Sequence, residues 1–371
     1  MALITTPEQE ALRDVMRAFL RKYSEESAVR QQMDSELGYD AGAWRKAADQ
    51  IGMPALVIPE EFGGAGYGFD ELAVVMEETG RTLYSGPMLP IVLATYALVL
   101  SQDAEACQWY LPGIADGSLI ATLAVSEARA DWTQQDITAT ARRDGDSWLL
   151  QGTKRYVLSG GEADVIVVAA RTDRGVGLFA VDGGAAGVTV EQCEVMDLTR
   201  RLANVGFSDT PAKLVGQDGN GWDTLRQVHD RAVVALACEQ VGGAAAVLDA
   251  TIDYLKVRQQ FGRPIGSFQA IKHRCADMLV ELESAKSAAA YASAAATASA
   301  DDLPLAASIA KTYCSNAFYH IAAESIQMYG GIGFTWEHPA HLYFKRAKSS
   351  QILFGTPSSH RERIAHLTGM V

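Results

Sequence analysis

The pattern of apolar and polar positions changes twice along the chain. In the first third, apolar residues recur at helical spacing between Gly and Pro breaks, most clearly over residues 71–82 and 89–100. Between residues 119 and 215 the pattern becomes short β-branched runs separated by Asp, Gly and Asn, and helical spacing returns after Gly221. The sequence therefore predicts a helical, a β and a second helical domain, over residues 1–117, 118–218 and 219–371.

Local signals add detail to this division. Thr6, followed by Pro7 and an acidic first turn, predicts the start of a helix and is not typical of a signal or transit peptide. The Ala- and Ser-rich segment 284–300 is predicted to be a long, closely packed helix. Short strands at the observed spacing favour an antiparallel barrel or sandwich. The predicted strands cover residues 136–142, 147–150, 165–170, 177–181 and 187–193.

Composition narrows the classes of partner. The formal net charge of -13 at pH 7 argues against nucleic acid or an anionic membrane as a general partner. The apolar run over residues 91–100 is too short to span a bilayer, so no membrane insertion is expected. The five cysteines are scattered without metal-type spacing, which predicts free thiols, no metal site and a reducing cytoplasm.

Residues 254–278, YLKVRQQFGRPIGSFQAIKHRCADM, combine a helix end with side chains suited to a ligand. Tyr254, Arg258 and Phe261 are spaced to share one helical face, and Gly262 followed by Pro264 predicts that the helix ends there. A second helix is expected from about residue 268. An Arg beside an aromatic suits a ligand with phosphate and ring parts. The alternative is a helix cap in which the Arg binds the last carbonyl groups.

Three further motifs occur in order with compatible spacing: PEEFGGAG at residues 59–66, LAVSEA at 123–128, and QMYGGIGFTWEHPAHLYFKRAKSSQILFGT at 327–356. Together with the segment above, they resemble the signatures of acyl-CoA dehydrogenases, a family of FAD flavoproteins. The resemblance covers essentially the whole chain. It implies an α+β multidomain fold with an N-terminal α-helical domain, a middle β-barrel and a C-terminal four-helix bundle.

The resemblance implies where the adenine end of FAD would bind. Arg258 would bind the pyrophosphate, and Phe261 would pack against the adenine. In the family this surface reaches into the cofactor site of a neighbouring subunit, so the chain is expected to be a homo- or hetero-oligomer, dimer or tetramer. The other residues matched at this end are Ile265, Phe268, Gln269, Gln327, Gly330 and Gly331.

The resemblance also implies contacts to the flavin ring. Val125 and Ser126 match positions at the pyrimidine edge. Tyr156 and Ser159 match the strand behind the ring, and Thr356 matches a further FAD contact, although it also suits a helix cap before a proline.

Two departures from the family pattern affect the flavin site. Residues 128–132 replace a Gly-rich turn, and Leu158 stands where a Thr usually bonds flavin N5. The neighbouring Ser159 is expected to point to the other face, because side chains alternate along a strand. The redox tuning of the flavin is therefore left open.

The usual catalytic base is missing. Many family members carry a Glu before the Gly-Thr of the last motif, where this chain has Phe354; only its backbone N–H could still donate to the thioester oxygen. In other relatives the Glu matches Ala232. Glu239, two helical turns beyond Ala232 in an apolar context, is the first candidate base and Asp230 the second. Alternatively Glu239 pairs with a basic group across the bundle, or the chain carries no base.

The reaction implied by the resemblance is FAD-dependent α,β-dehydrogenation of an acyl-CoA thioester to the trans-2-enoyl-CoA, with electrons passed to an electron-transfer flavoprotein. The alternatives are a non-catalytic or half-site subunit of a hetero-oligomer and a flavin oxidase or monooxygenase on the same fold. The acyl group is left open. Gly242 and Gly243 would leave room for a bulky acyl chain, or they would reflect close helix packing.

Overall fold

A computed structural model of the chain describes residues 5–129, 132–145 and 147–371. It divides into two compact units. The bundle unit contains the chain up to Arg30, Phe69–Tyr84 and Val233–Val371, and the barrel unit contains Gln31–Gly68 and Ser85–Ala232. The helices are α1 (Pro7–Tyr23), α2 (Glu26–Met33), α3 (Ala41–Ile51), α4 (Phe69–Arg81), α5 (Met88–Leu100), α6 (Ala104–Ala115), α7 (Gly221–Val257), α8 (Gln269–Thr297), α9 (Leu303–Tyr329), α10 (Ala340–Ile352) and α11 (Pro357–Leu367). The strands are β1 (Ala121–Ala124), β2 (Thr140–Asp144), β3 (Ser147–Leu158), β4 (Val165–Thr172), β5 (Gly175–Asp182), β6 (Val188–Gln192), β7 (Leu202–Val215), β8 (Gln259–Gln260) and β9 (Arg263–Pro264).

Helix starts follow their capping signals. Thr6 accepts a hydrogen bond from the backbone N–H of Gln9, whose side chain accepts from the N–H of Thr6, so the predicted start of α1 is confirmed. Thr356 caps α11 by accepting from the N–H of Ser359 at 3.2 Å. The predicted helices over residues 71–82, 89–100 and 284–300 are likewise present as parts of α4, α5 and α8, although α4 ends at Arg81 and α8 at Thr297.

In the bundle unit, α4 and α7 cross with their backbones in contact. A Cβ atom at Gly80 would lie 2.0 Å from the carbonyl oxygen of Glu239, and one at Gly242 would lie 1.8 Å from the carbonyl oxygen of Glu77. Only glycine allows this approach from both sides. The crossing therefore fixes the position of Glu239 on α7 relative to α4.

The glycine pair on α7 serves packing. A Cβ atom at Gly243 would lie 2.5 Å from the ring of Phe318 on α9, so both Gly242 and Gly243 are in close contact with neighbouring helices. Of the two interpretations of this pair, close packing is the one confirmed. By length and composition α7 could cross a membrane, but 89% of its most apolar window is buried inside the protein, as in a core helix.

The sheet of the barrel unit closes on itself. Its strand order is β1-β4-β2-β3-β7-β5, β5 pairs back with β4, and β6 joins β7. The ring β4-β2-β3-β7-β5 is therefore a barrel, filled by side chains such as Ile166, Val168, Phe179 and Val205. Most pairs are antiparallel, as predicted, but β1 and β2 both run parallel to β4.

The end of α7 differs from the prediction. The helix stops at Val257, and the next residues form the β8–β9 hairpin, whose two turn residues are Phe261 (φ 53°) and Gly262 (φ 74°). Positive φ at both central residues matches the right-handed twist of a tight hairpin. The prediction that Arg258 and Phe261 share a helical face with Tyr254 is therefore wrong, whereas α8 begins at Gln269 as expected.

Candidate functional site

In the barrel unit, one lysine holds the segment that carries Ser126. The ammonium of Lys154 on β3 lies 2.6 Å from Oε1 of Glu127 and donates to the carbonyl of Val125 at 3.1 Å. The carbonyl of Ser126 accepts from the backbone N–H of Arg155 at 2.8 Å. Residues on both sides of Ser126 are thus fixed by side-chain contacts, and Ser126 itself by the adjacent strand.

The Lys154–Glu127 pair is buried and ionised. Burial lowers the pKa of Lys154 to about 8, although the carboxylate of Glu127 raises it. Burial alone would raise the pKa of Glu127, but the ammonium of Lys154 and the hydrogen bonds from the Thr138 hydroxyl and the Ala139 N–H lower it. Sequence reasoning missed both residues. The only sequence signal was an acid at the end of the largely apolar run 123–127; Lys154 gave none, because residues 153, 155 and 156 around it are exposed.

Tyr156 and Ser159 lie on either side of the end of β3. A bulge interrupts the pairing of β3 with β7, and Tyr156 sits in it with φ 56° and its ring half exposed. The strand ends at the buried Leu158, and Ser159 lies beyond it with φ 48°, its N–H donating to the carbonyl of Arg201 at 3.0 Å. Alternation along a strand therefore cannot be used to orient Ser159. Of residues 128–132, which replace the family's Gly-rich turn, residues 130 and 131 lie outside the described part of the chain.

In the bundle unit, the β8–β9 hairpin presents Arg258 and Phe261 to solvent. Phe261 is 91% exposed and meets the ring of Phe268 edge-on at 6.1 Å. The guanidinium of Arg263 lies 4.0 Å from the other ring, that of Phe268. No described residue forms an ion pair or hydrogen bond with the guanidinium of Arg258.

The other residues matched at the adenine end are accessible too. A Cβ atom at Gly330 or Gly331 would have no further described atom within 4 Å, which leaves the backbone open to a ligand. Ile265 is half-buried, and Gln269 and Gln327 are exposed. A cation with no described partner, an exposed aromatic ring and open glycine backbone are the groups that a pyrophosphate and an adenine require. The residues present therefore fit FAD.

At the position of the usual base, Phe354 adopts φ 59° and its side chain is buried. Its carbonyl accepts a hydrogen bond from Nε2 of His360 at 2.9 Å, and Gly355 follows with φ 99°. Neither the aromatic side chain nor this carbonyl can act as the base that a carboxylate provides in other family members. Only the backbone N–H is chemically suited to the predicted contact with a thioester.

The two candidate bases have different surroundings. Oε1 of Glu239 on α7 lies 2.7 Å from Nη1 of Arg346 on α10, and both side chains are buried. This is the basic partner that the structural interpretation of Glu239 predicts. Oδ1 of Asp230 lies 3.9 Å from Nδ1 of His229 in the barrel unit, also buried. A catalytic role for either residue stays a prediction.

Three family models match the chain in order. They are the "Acyl-CoA dehydrogenase" N-terminal domain over residues 6–118, its middle domain over residues 122–209, and its C-terminal domain over residues 219–367. These matches confirm the predicted arrangement of N-terminal helical, middle barrel and C-terminal helical domains, whereas the predicted boundaries stay predictions.

Individual proteins match over nearly their full length. "Acyl-CoA dehydrogenase IpdE2" of Mycolicibacterium smegmatis is 37% identical over 357 residues, which are 96% of this chain and 97% of the relative. Among solved structures, a variant of the "Tcur3481-Tcur3483 steroid ACAD" is 33% identical with a TM-score of 0.88 over 98% of each chain. The ChsE4-ChsE5 complex from Mycobacterium tuberculosis is 26% identical with a TM-score of 0.91 over 100% of each chain.

Proposed function

The chain belongs to the acyl-CoA dehydrogenase family, whose members are FAD flavoproteins, and on that premise we propose that it takes part in the α,β-dehydrogenation of an acyl-CoA thioester. The product is the trans-2-enoyl-CoA, and the electrons pass to an electron-transfer flavoprotein. The chemistry that bound FAD would supply is an acceptor for the β-hydrogen, which leaves as hydride. The observation that carries the proposal is the solvent-facing hairpin with Arg258 and Phe261, in a chain that all three family models match in order.

The chain's own residues would hold the reactants. Arg258 would bind the pyrophosphate of an FAD. The segment around Ser126, held by Lys154, would meet the pyrimidine edge of a flavin. The N–H of Phe354 donates to the thioester carbonyl. Such a donor stabilises the negative charge that develops on this oxygen as the α-proton leaves, and so lowers the barrier to its removal.

The carboxylate that removes the α-proton is best explained by a second chain. Phe354 cannot accept a proton, and Glu239 is neutralised by Arg346 at 2.7 Å. Uptake of a proton by Glu239 would break this ion pair and remove the anion that compensates a buried arginine. We therefore propose that this chain is part of a hetero-oligomer, which is supported by its similarity to the ChsE4-ChsE5 complex.

Exposed aromatic side chains support assembly into an oligomer. In the bundle unit, Phe261, Phe334 and Trp336 are 91%, 86% and 56% exposed. Large apolar surfaces are unfavourable in water, and a contacting chain would cover them. For the substrate we propose a bulky, ring-bearing acyl-CoA, because the chain is 33% identical to the Tcur3481-Tcur3483 steroid ACAD.

The test compares the chain produced alone with the chain produced together with candidate partners from the same family. Each FAD-loaded preparation is mixed without oxygen with a panel of linear, branched and steroid-derived acyl-CoAs, and loss of the oxidised flavin absorbance is recorded. We expect reduction only in the hetero-oligomer. Reduction by the lone chain would contradict the two-chain arrangement. Absence of reduction in every preparation would contradict the dehydrogenase function, and steady peroxide formation in air would indicate an oxidase.

A further inference from the structure

The backbone of Phe354 is held in a conformation that a bulky residue rarely adopts. At φ 59° it lies in the left-handed region, which disfavours residues with a large side chain. Such a residue persists only where the surrounding structure over-determines it, and such sites often serve function. His360, the packing around the ring and Lys311 help to hold Phe354 in this conformation.

The first contact is made by His360. The Phe354 carbonyl can only accept, so the imidazole donates from Nε2, at 2.9 Å. His360 is buried, and its own N–H donates to the carbonyl of Thr356 at 3.0 Å as part of the first turn of α11. Because Thr356 caps this turn, the position of the His360 imidazole is fixed by the start of α11.

The other contacts act on the side chain and on the preceding helix. The ring of Phe354 is 3% exposed, so its rotation is blocked by packing. The fully buried Lys311 on α9 donates to the carbonyl of Ser350, in the last turn of α10. The segment between Ser350 and Thr356 is thus held at both ends by buried donors.

Fixing the carbonyl and the ring also fixes the direction of the N–H. If Phe354 relaxed to the common φ near -60°, its N–H would rotate by about 120° relative to its side chain and carbonyl. Release of the carbonyl removes one of the contacts that oppose this relaxation. The imidazole therefore controls a donor that it does not itself touch.

We infer that His360 is a positioning residue that aims the Phe354 N–H at the thioester carbonyl of the acyl-CoA. The inference rests on the proposed function, and it concerns binding of the thioester irrespective of which chain carries the base.

The test uses an enoyl-CoA labelled with ¹³C at the thioester carbon, bound to the FAD-loaded protein, and records the infrared stretching frequency of the labelled carbonyl. A hydrogen bond lowers this frequency. We expect the lowered frequency in the wild type and in His360→Gln, whose amide can replace the donor. It should be lost in His360→Leu and in His360→Asn, whose amide is one methylene shorter. The dissociation constant of the ligand should rise by about three- to tenfold in the last two variants.

His366→Leu is the matched control, because His366 lies exposed on the same helix. It should behave as the wild type, and the FAD content should be equal in all variants. His360→Asn and His360→Gln differ only in reach, so their comparison remains decisive if His360→Leu does not fold. An unchanged frequency shift in His360→Leu or His360→Asn would overturn the role of His360. No shift in the wild type, with ligand bound, would overturn the proposed thioester contact itself and the inference with it.

Discussion

Oε1 of Glu239 lies 2.7 Å from Nη1 of Arg346, and the two side chains are only 7% and 2% exposed. The pair connects α7 to α10 across the bundle unit, directly beside the glycine crossing that sets the position of Glu239. A buried pair of this kind contributes little net stability as a pair, but removal of one partner is costly because the other charge remains buried. This asymmetry allows the structural and catalytic roles of Glu239 to be separated.

We expect Glu239→Gln to lower the free energy of unfolding by about 3–5 kcal/mol, because Arg346 loses the anion beside it. Arg346→Met should cost a similar amount. The double variant Glu239→Leu/Arg346→Met should recover most of this stability, since no uncompensated charge is left. Chemical denaturation of the three variants measures the effect.

The double variant also tests the base. With the second chain and FAD present, it should still reduce its flavin with acyl-CoA. If it folds, retains FAD and yet gives no reduction, Glu239 acts as the base and the two-chain arrangement is wrong.

The contrast between Thr6 and Glu239 shows which features the sequence predicts. Thr6, Pro7 and the strand runs depend on neighbours within a few residues. Local rules identified the helix start and most of the runs, although residues 136–139 lie outside β2 and the runs did not include β1 or β7. Glu239 was conspicuous as an acid in an apolar run, but its partner lies 107 residues away and no local rule could name it. The same holds for Lys154 and Glu127, which are 27 residues apart on different elements.

The β8–β9 hairpin shows a second limit of local rules. Gly262 is an equally good signal for a helix end and for a tight turn, and the helical spacing of Arg258 and Phe261 favoured the first. The structure has the second, because α7 has already ended at Val257. The turn is a hairpin because Gln260 pairs with Arg263, and the spacing of apolar residues does not predict such backbone pairing.

Gly242→Ala should destabilise the protein by about 3 kcal/mol, at the upper end for an overpacked core site. The added Cβ would lie 1.8 Å from the carbonyl oxygen of Glu77, and a backbone atom in a helix cannot move aside without separating α4 from α7. Gly331→Ala, where a Cβ meets open space, is the matched control and should unfold as the wild type. Equal stability of the two variants in thermal and chemical denaturation would contradict the close crossing.

Arg258→Ala should weaken FAD binding by about 10- to 100-fold, because a hydrogen bond to a charged group contributes about 1.5–3 kcal/mol. The lost affinity should depend on salt, since the interaction is between a solvent-facing cation and a pyrophosphate. Titration of the apoprotein with FAD, followed by flavin fluorescence, measures the dissociation constant. Lys256→Ala is the control. It removes an exposed cation two residues away that pairs with Asp253 at 2.9 Å, and FAD affinity equal to that of Arg258→Ala would show a general charge effect.

The low pKa of Lys154 predicts a change in FAD binding near pH 8. Burial lowers this pKa to about 8 from 10.5, so between these values the folded chain has lost a proton that the unfolded chain retains. Below pH 8 the buried group is the ammonium, whose burial is unfavourable. The contribution of Lys154 to the free energy of unfolding therefore rises as the pH increases from about 8 to 10.5. The amine formed above pH 8 no longer forms an ion pair with Glu127 and holds Val125 more weakly.

FAD affinity should therefore fall as the pH rises from 7 to 9, with a midpoint near 8, while the protein stays folded. The carboxylate of Glu127 is the group that raises the pKa of Lys154 against the effect of burial. Glu127→Gln should consequently move the midpoint to lower pH, and Lys154→Met should abolish the transition. Titrations of apoprotein with FAD across this range provide the measurement. A midpoint that does not move in Glu127→Gln would assign the transition to another group and exclude Lys154 from the flavin site.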